Sequence, residues 1–120
     1  GDELDELQYG SQSHTRIFNF TSLSNPEQYF SFFGATNAID HDVYVKGDKL
    51  YLSNYTAGMR VLDISQVHNK NVTEIGFFDT YPKDNNPKFN GVWNMYPFFE
   101  SGVIAVNDID SGLFLVKASD

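Results

Sequence analysis

A stretch of sixteen residues in this chain recurs, and that repeat limits the possible folds more than any other feature. Sliding the sequence by 54 residues lays Leu50 to Ser65 on Ile104 to Ser119 without a gap, and the turn glycines Gly58 and Gly112 coincide along with most apolar positions. A weaker third copy lies at a shift of 44, where Arg16-Ile17-Phe18-Asn19-Phe20-Thr21 matches Arg60-Val61-Leu62-Asp63-Ile64-Ser65. A strand, glycine turn, strand unit that returns at roughly 40 to 55 residues is how the blades of a β-propeller look in sequence. Each blade is four antiparallel strands that bury their faces against the neighbouring blades. The competing architecture is a β-sandwich whose strands are merely alike. Register kept over sixteen residues favours the propeller.

The local pattern agrees with an all-β chain. Apolar residues alternate or run in short blocks, interrupted by Gly- or Asn-rich punctuation, which predicts strands and turns. Strands are expected over Thr15–Phe20, Tyr29–Gly34, Asp42–Lys46, Leu50–Asn54, Met59–Ile64, Thr73–Asp79, Gly91–Tyr96, Val103–Asn107 and Leu113–Lys117. Lys46-Gly47-Asp48-Lys49 reads as a hairpin turn because Gly and Asp tolerate positive φ. Only Ser65 to Val72 has any helical reading, Pro82 to Asn90 is too rich in Pro, Asn and Asp to be regular, and helix content should be near zero. Divided into blades, the chain reads as one propeller segment of about two and a half four-stranded blades: a partial blade over 1–38, a full blade over 39–81 and a partial last blade over 82–120. Leu52, Val61, Leu62, Ile64, Phe78, Val106 and Leu115, as apolar positions of the expected strands, should be buried.

Composition removes several function classes. With 41% hydrophobic and 16% aromatic residues in 120, the chain has the apolar mass for one packed domain despite a net charge of -8. Sixteen Asp and Glu against eight Lys and Arg leave no basic stripe to follow nucleic-acid phosphates. The same balance disfavours anionic lipid. No Cys is present, so there is neither a disulfide framework nor a thiolate site. No apolar run approaches a membrane span, and the acidic start is unlike a signal peptide.

Gly1-Asp2-Glu3-Leu4-Asp5-Glu6, Ala38-Ile39-Asp40-His41-Asp42-Val43-Tyr44-Val45-Lys46-Gly47, Ser53 to Ile64, Gly76 to Pro82, Gly91 to Phe99, and Ser101-Gly102 through Gly112-Leu113-Phe114 together resemble the C-terminal part of the choice-of-anchor B family, proteins built of LVIVD-type propeller repeats. The likeness covers nearly all of the chain. It implies a secreted or surface-attached β-propeller whose attachment signal varies among members and whose biochemical role is largely undefined. Family members are several times longer, so the chain is expected to open in the middle of a blade. An open stack leaves sheet faces and strand edges in water. The expected partners are therefore the remainder of the parent chain or other copies of itself.

Three clusters carry possible chemistry. Asp2, Glu3, Asp5 and Glu6 are dense enough to hold a hard cation such as calcium through oxygen ligands, although such runs are usually solvated turns. Asp108 and Asp110 alternate like a calcium loop, but the twelve-residue pattern is absent and the repeat turn explains them. Asp40-His41-Asp42 stands where an innermost strand begins, at the channel end of a propeller. His41 between carboxylates could act as a metal ligand, a general base or a hydrogen-bonding structural residue. His14 and His68 read as surface residues. Trp93-Asn94-Met95-Tyr96-Pro97-Phe98-Phe99, with Phe77, Phe78, Tyr81 and Phe89, could stack on sugar rings or pack blades together, with Trp93 and Tyr96 as the residues most exposed to ligand. The reading favoured is a non-enzymatic extracellular or cell-surface binding or scaffold module, with calcium as the candidate stabilising cation and a glycan or a protein as the candidate ligand. The alternative is part of a cation-dependent secreted enzyme using Asp40, His41 and the acidic run. Its site would be at the propeller channel. On either reading a ligand site is expected at the strand ends that bring Asp40, His41 and Asp42 near the Gly1 to Glu6 run, and not in the loop Pro82 to Asn90.

Overall fold

In the computed structural model, which describes residues 3–119, the chain is all-β: three antiparallel sheets with no closed barrel. β1 (His14–Asn19) and β2 (Glu27–Phe33) form a two-stranded sheet. β3 (Asp42–Lys46), β4 (Lys49–Ser53), β5 (Met59–Asp63) and β6 (Thr73–Phe78) form a four-stranded meander. β7 (Val92–Tyr96), β8 (Ile104–Asp108) and β9 (Gly112–Val116) form a three-stranded one. We call these sheets 1, 2 and 3. All nine expected strands are present, with ends displaced by at most two residues. The Gly47-Asp48 turn joins β3 to β4, with Gly47 at φ 58.

Two features of strand pairing follow the repeat. Across β4 and β5 the partners are Leu50 with Leu62, Tyr51 with Val61, Leu52 with Arg60 and Ser53 with Met59. The residues 54 positions later pair in the same register across β8 and β9: Ile104 with Val116, Ala105 with Leu115, Val106 with Phe114 and Asn107 with Leu113. The weaker copy is equally literal. A β-bulge shifts the register between Val61 and Leu62 where β5 meets β6, and another shifts it between Ile17 and Phe18, 44 residues earlier, where β1 meets β2. Sheet 1 thus corresponds to the last two strands of sheet 2.

The core lies between sheets 2 and 3. Tyr51 and Met59 of sheet 2 meet Val92, Met95, Ile104 and Val106 of sheet 3, with Tyr44, Val61, Phe78, Phe114 and Val116 around them. Because side chains alternate across a strand, these residues identify one face of each sheet. In the repeat alignment the faces are opposite ones. Sheet 2 contributes Tyr51, Met59 and Val61, which align with Ala105, Leu113 and Leu115. Sheet 3 contributes the other set, Ile104, Val106, Phe114 and Val116. Leu52 and Leu62 are buried on the back of sheet 2.

That arrangement corrects one expected core residue. Leu52, Leu62 and Val106 are buried and Val61, Ile64 and Phe78 half-buried, but Leu115 is 68% exposed. Its strand pairing is as expected. Among the described residues no sheet lies against its face, and the neighbouring Leu113 is bare for the same reason. The aromatic residues expected to pack sheets together are corrected likewise: Phe77, Phe89, Phe98 and Phe99 are exposed, while Met95 and Pro97 are buried.

Among the described residues helix is confined to α1 (Asp5–Tyr9) and a 3-10 turn at Val67–Asn69. The turn falls in the one segment with a helical reading. α1 is a correction to the solvated turn expected of the acidic run. Asp5 and Glu6 occupy its first turn, where the helix dipole favours carboxylates, and Gly10 at φ 64 ends it in the left-handed conformation.

Candidate functional site

The polypeptide converges at the end of sheets 2 and 3 where β3 begins, β4 turns into β5 and β7 begins. His41 sits one residue ahead of β3, its backbone N–H donating to the Ser53 carbonyl at 2.9 Å. Tyr55 lies in the β4–β5 turn at φ 37, a left-handed backbone uncommon outside Gly. The turn is clamped from sheet 3. Val92 donates its N–H to the Tyr55 carbonyl at 3.0 Å, and Gly91 lies so close that a Cβ there would fall 2.3 Å from that oxygen. The same anchoring aims Trp93, at the bulge in β7, toward His41.

The result is a compact aromatic and acidic cluster. The ring centroid of His41 is 4.4 Å from that of Trp93 and 5.0 Å from that of Tyr55. Tyr55 in turn packs edge-on against Phe89 at 5.3 Å, which corrects the expectation that the 82–90 loop stays clear of the site: the loop supplies one of the cluster's rings. Glu3 joins from the segment ahead of α1: its Oε1 accepts the Tyr55 hydroxyl at 2.6 Å and lies 2.9 Å from His41 Nδ1. Burial pushes the Tyr55 pKa well above that of a free phenol, and Glu3 raises it further as a hydrogen-bond acceptor and as a charge opposing the phenolate. Tyr55 therefore remains a donor at all physiological pH. Trp93 and Phe89 stay about half exposed, so the cluster presents an aromatic surface backed by a carboxylate–imidazole pair.

Among the candidate residues, the structure joins one member of the acidic run to the His41 segment. Glu3, His41 and Trp93 form one group, although the sequence reading treated Trp93 as part of a separate aromatic cluster. Asp42 is turned to its own strand, accepting the Val43 N–H at 2.9 Å, and Asp40 is buried beside His41. Tyr96 belongs to the other end of β7, where it packs on Phe98 and Phe99 at 5.5 and 4.8 Å and Lys46 Nζ donates to the Pro97 carbonyl at 2.7 Å. Asp5 pairs with Arg16 at 2.6 Å, Glu6 is buried, and Asp2 lies outside the described residues. Among the described residues no three His, Asp or Glu side chains converge as a metal-ligand group.

Asp108 and Asp110 serve the repeat turn. Asp108 Oδ1 accepts the N–H groups of Asp110 and Ser111, and Asp110 Oδ2 accepts that of Gly91 at 3.0 Å. His14, expected on the surface, is half-buried and stacked on Phe33 at 4.5 Å. Tyr55 was not singled out from the sequence. The alignment carried a signal, since a tyrosine stands there against Ile109 in the turn of the second copy. Scans against protein-family models, curated proteins and solved structures each find no match for this chain.

Proposed function

We propose that this chain is part of a β-propeller of the LVIVD-repeat kind, serving outside the cell or at its surface as a non-enzymatic binding module. Its ligand engages the rim where Glu3, His41, Tyr55, Phe89 and Trp93 meet. The blade reading is supported by how equivalent positions are used. Two repeat-related sheets that closed as a sandwich around a twofold would bury matching faces against each other; here the front of sheet 2 meets the back of sheet 3. Front-to-back stacking is heterologous and continues by repetition, as blades do around an axis.

The half-exposed Trp93 resting on His41 carries the binding reading. A sugar ring laid on the indole would find apolar C–H groups met by a flat π face, with Glu3 within the same cluster as a hydrogen-bond acceptor for hydroxyls. Trp93 is the chain's single tryptophan, so its fluorescence reports occupancy directly. The test is a glycan array followed by fluorescence titration of the hits, on the wild type and on Trp93→Ala and Glu3→Gln. Retained spectral change in the wild type with array signal lost in Trp93→Ala supports the site. Equal array signal in both proteins removes it.

A further inference from the structure

The loop 82–90 runs into β7 through Asn90-Gly91, the sequence's single Asn-Gly pair. A glycine after asparagine leaves the peptide nitrogen unshielded by any side chain, and that nitrogen can close a five-membered ring on the asparagine Cγ. Here one carboxylate holds both partners of the reaction. Asp110 Oδ2 accepts the Gly91 N–H at 3.0 Å, and Asn90 Nδ2 donates to Oδ1 and Oδ2 of the same side chain at 3.1 and 3.3 Å. Nucleophile and leaving group therefore lie side by side, each within 3.3 Å of Oδ2. Ring closure requires the Gly91 N–H proton to leave, however, and the charge on Asp110 opposes an anionic nitrogen while its hydrogen bonds fix the amide. Asp110 acts as a clasp. It is itself exposed, so the clasp opens to water by local fluctuation of the turn.

Gly91 is buried and held on three sides. Its N–H is on Asp110, its carbonyl accepts the Ile109 N–H at 2.8 Å, and its α-carbon is so near Tyr55 that a Cβ would fall 2.3 Å from the carbonyl oxygen. Isoaspartate at position 90 would route the main chain through its own side chain and lengthen it by one atom immediately ahead of Gly91. These contacts leave no room for that atom, so Gly91 and Val92 must shift, and the Val92 N–H is what holds the Tyr55 carbonyl at 3.0 Å. Trp93 follows in the chain, so its ring would leave His41. Ordinary aspartate, the other product, sets a second carboxylate against Asp110 where an amide donor stood, in a chain of net charge -8.

We propose that Asn90-Gly91 is a self-modification site, restrained by Asp110, whose conversion to isoaspartate dismantles the aromatic rim. Gly91 N gives its proton to water and forms a bond to Asn90 Cγ, the Cγ–Nδ2 bond breaks, and Nδ2 takes up a proton and leaves as ammonia. One water then opens the succinimide, so asparagine and water become aspartate or isoaspartate and ammonia. The proposal rests on the geometry of the rim and not on what the rim binds, so the two can fail separately. The 120-residue chain is aged at neutral pH beside a synthetic peptide of residues 88–93, which lacks Asp110. Peptide mapping follows residue 90, and an isoaspartyl methyltransferase counts isoaspartate. The folded chain should convert about tenfold or more slower than the peptide, and Asp110→Ala should speed the folded chain about fivefold or more, as expected for losing hydrogen bonds to a charged acceptor. Converted wild type, separated by its added charge, should show shifted emission from Trp93, the single tryptophan. Asn90→Gln, whose longer side chain closes a ring far more slowly, should age without that shift. Folded wild type that never converts, or converts as fast as the peptide, overturns the proposal. So does an unchanged rate in Asp110→Ala, converted protein with the original emission, or the same emission drift in Asn90→Gln. The peptide comparison and the emission of converted wild type leave Asp110 untouched and keep the test decisive should Asp110→Ala fold poorly.

Discussion

The hairpins β4–β5 and β8–β9 share a register, a turn glycine and an apolar pattern, yet one is enclosed and the other largely bare. Residues 51–60 of the first are all buried, including the whole turn from Asn54 to Gly58. In the second, Ile109, Leu113 and Leu115 are 48%, 61% and 68% exposed. Sequence therefore sets the pairing within a hairpin, through alternation and a glycine where φ must be positive. Burial is set by whether another sheet lies on each face. The comparison also locates the rim cluster, because Tyr55 is held by sheet 3 while no sheet among the described residues lies beyond its counterpart Ile109.

The turn glycines offer the largest contrast. Gly58 and Gly112 have φ of 79 and 84, so alanine at either pays for a left-handed backbone, about 1 kcal/mol. A Cβ on Gly58 would also fall 2.3 Å from the Phe78 carbonyl oxygen, while on Gly112 it meets nothing within 4 Å. Gly58→Ala should cost more than about 3 kcal/mol, and Gly112→Ala only the backbone share. Urea denaturation of both variants measures the difference. Similar midpoints would mean that the β4–β5 turn is not held against β6 as described.

Core truncation comes next. Met59 is 4% exposed and its counterpart Leu113 is 61% exposed. Met59→Ala should destabilise by about 3 kcal/mol and Leu113→Ala by no more than about 0.5 kcal/mol. Equal losses would indicate that a second sheet covers Leu113 in solution.

These pairs also mark what sequence alone could reveal. All nine strands were legible because period-2 alternation and turn glycines are local signals. The repeat went further, since the registers and even the bulge recur at 54 and 44 residues. α1 was not legible: a helix of five residues is too short for a periodic face. Leu115 was misjudged because apolar character records that a face can be covered, not that it is. At the rim, crowded carboxylates near His41 did bring the acidic run and that histidine together in the reading, and Glu3 lies 2.9 Å from it. Tyr55 escaped notice because its role depends on β7, forty residues away in sequence.

A smaller effect distinguishes Tyr55 from Ile109. Tyr55→Phe removes the hydroxyl that Glu3 accepts at 2.6 Å and should cost about 1 kcal/mol at neutral pH, whereas Ile109→Ala should stay within about 0.5 kcal/mol. The tyrosine adds a pH signature. Its folded pKa is raised above the unfolded value, so the folded state holds the proton more tightly. That contribution is fully present below about pH 10 and declines above it, by up to about 1.4 kcal/mol per pH unit, until the folded pKa is reached. Denaturation midpoints at pH 9, 10 and 11 should fall faster in the wild type than in Tyr55→Phe. Parallel declines would mean that Tyr55 ionises as freely folded as unfolded.

The smallest effect on folding should accompany the largest on association. Leu113 and Leu115 share with Tyr96, 48% exposed, one face of sheet 3 and are themselves exposed on it, next to the edge of β9 that is unpaired among the described residues. An apolar face bordering a free strand edge promotes pairing with other chains, and charged side chains are how such edges are blunted. The double variant Leu113→Lys with Leu115→Lys removes two exposed leucines without entering the core, so the urea midpoint of the monomer should move by no more than about 0.5 kcal/mol. Sedimentation velocity over a concentration series should find the wild type self-associating and the double variant monomeric. Val61, which aligns with Leu115 but packs against the core, gives the control: Val61→Lys should prevent folding, since it buries an unpaired charge. A wild type that stays monomeric at every concentration would mean that this bare face is tolerated in water without another chain against it.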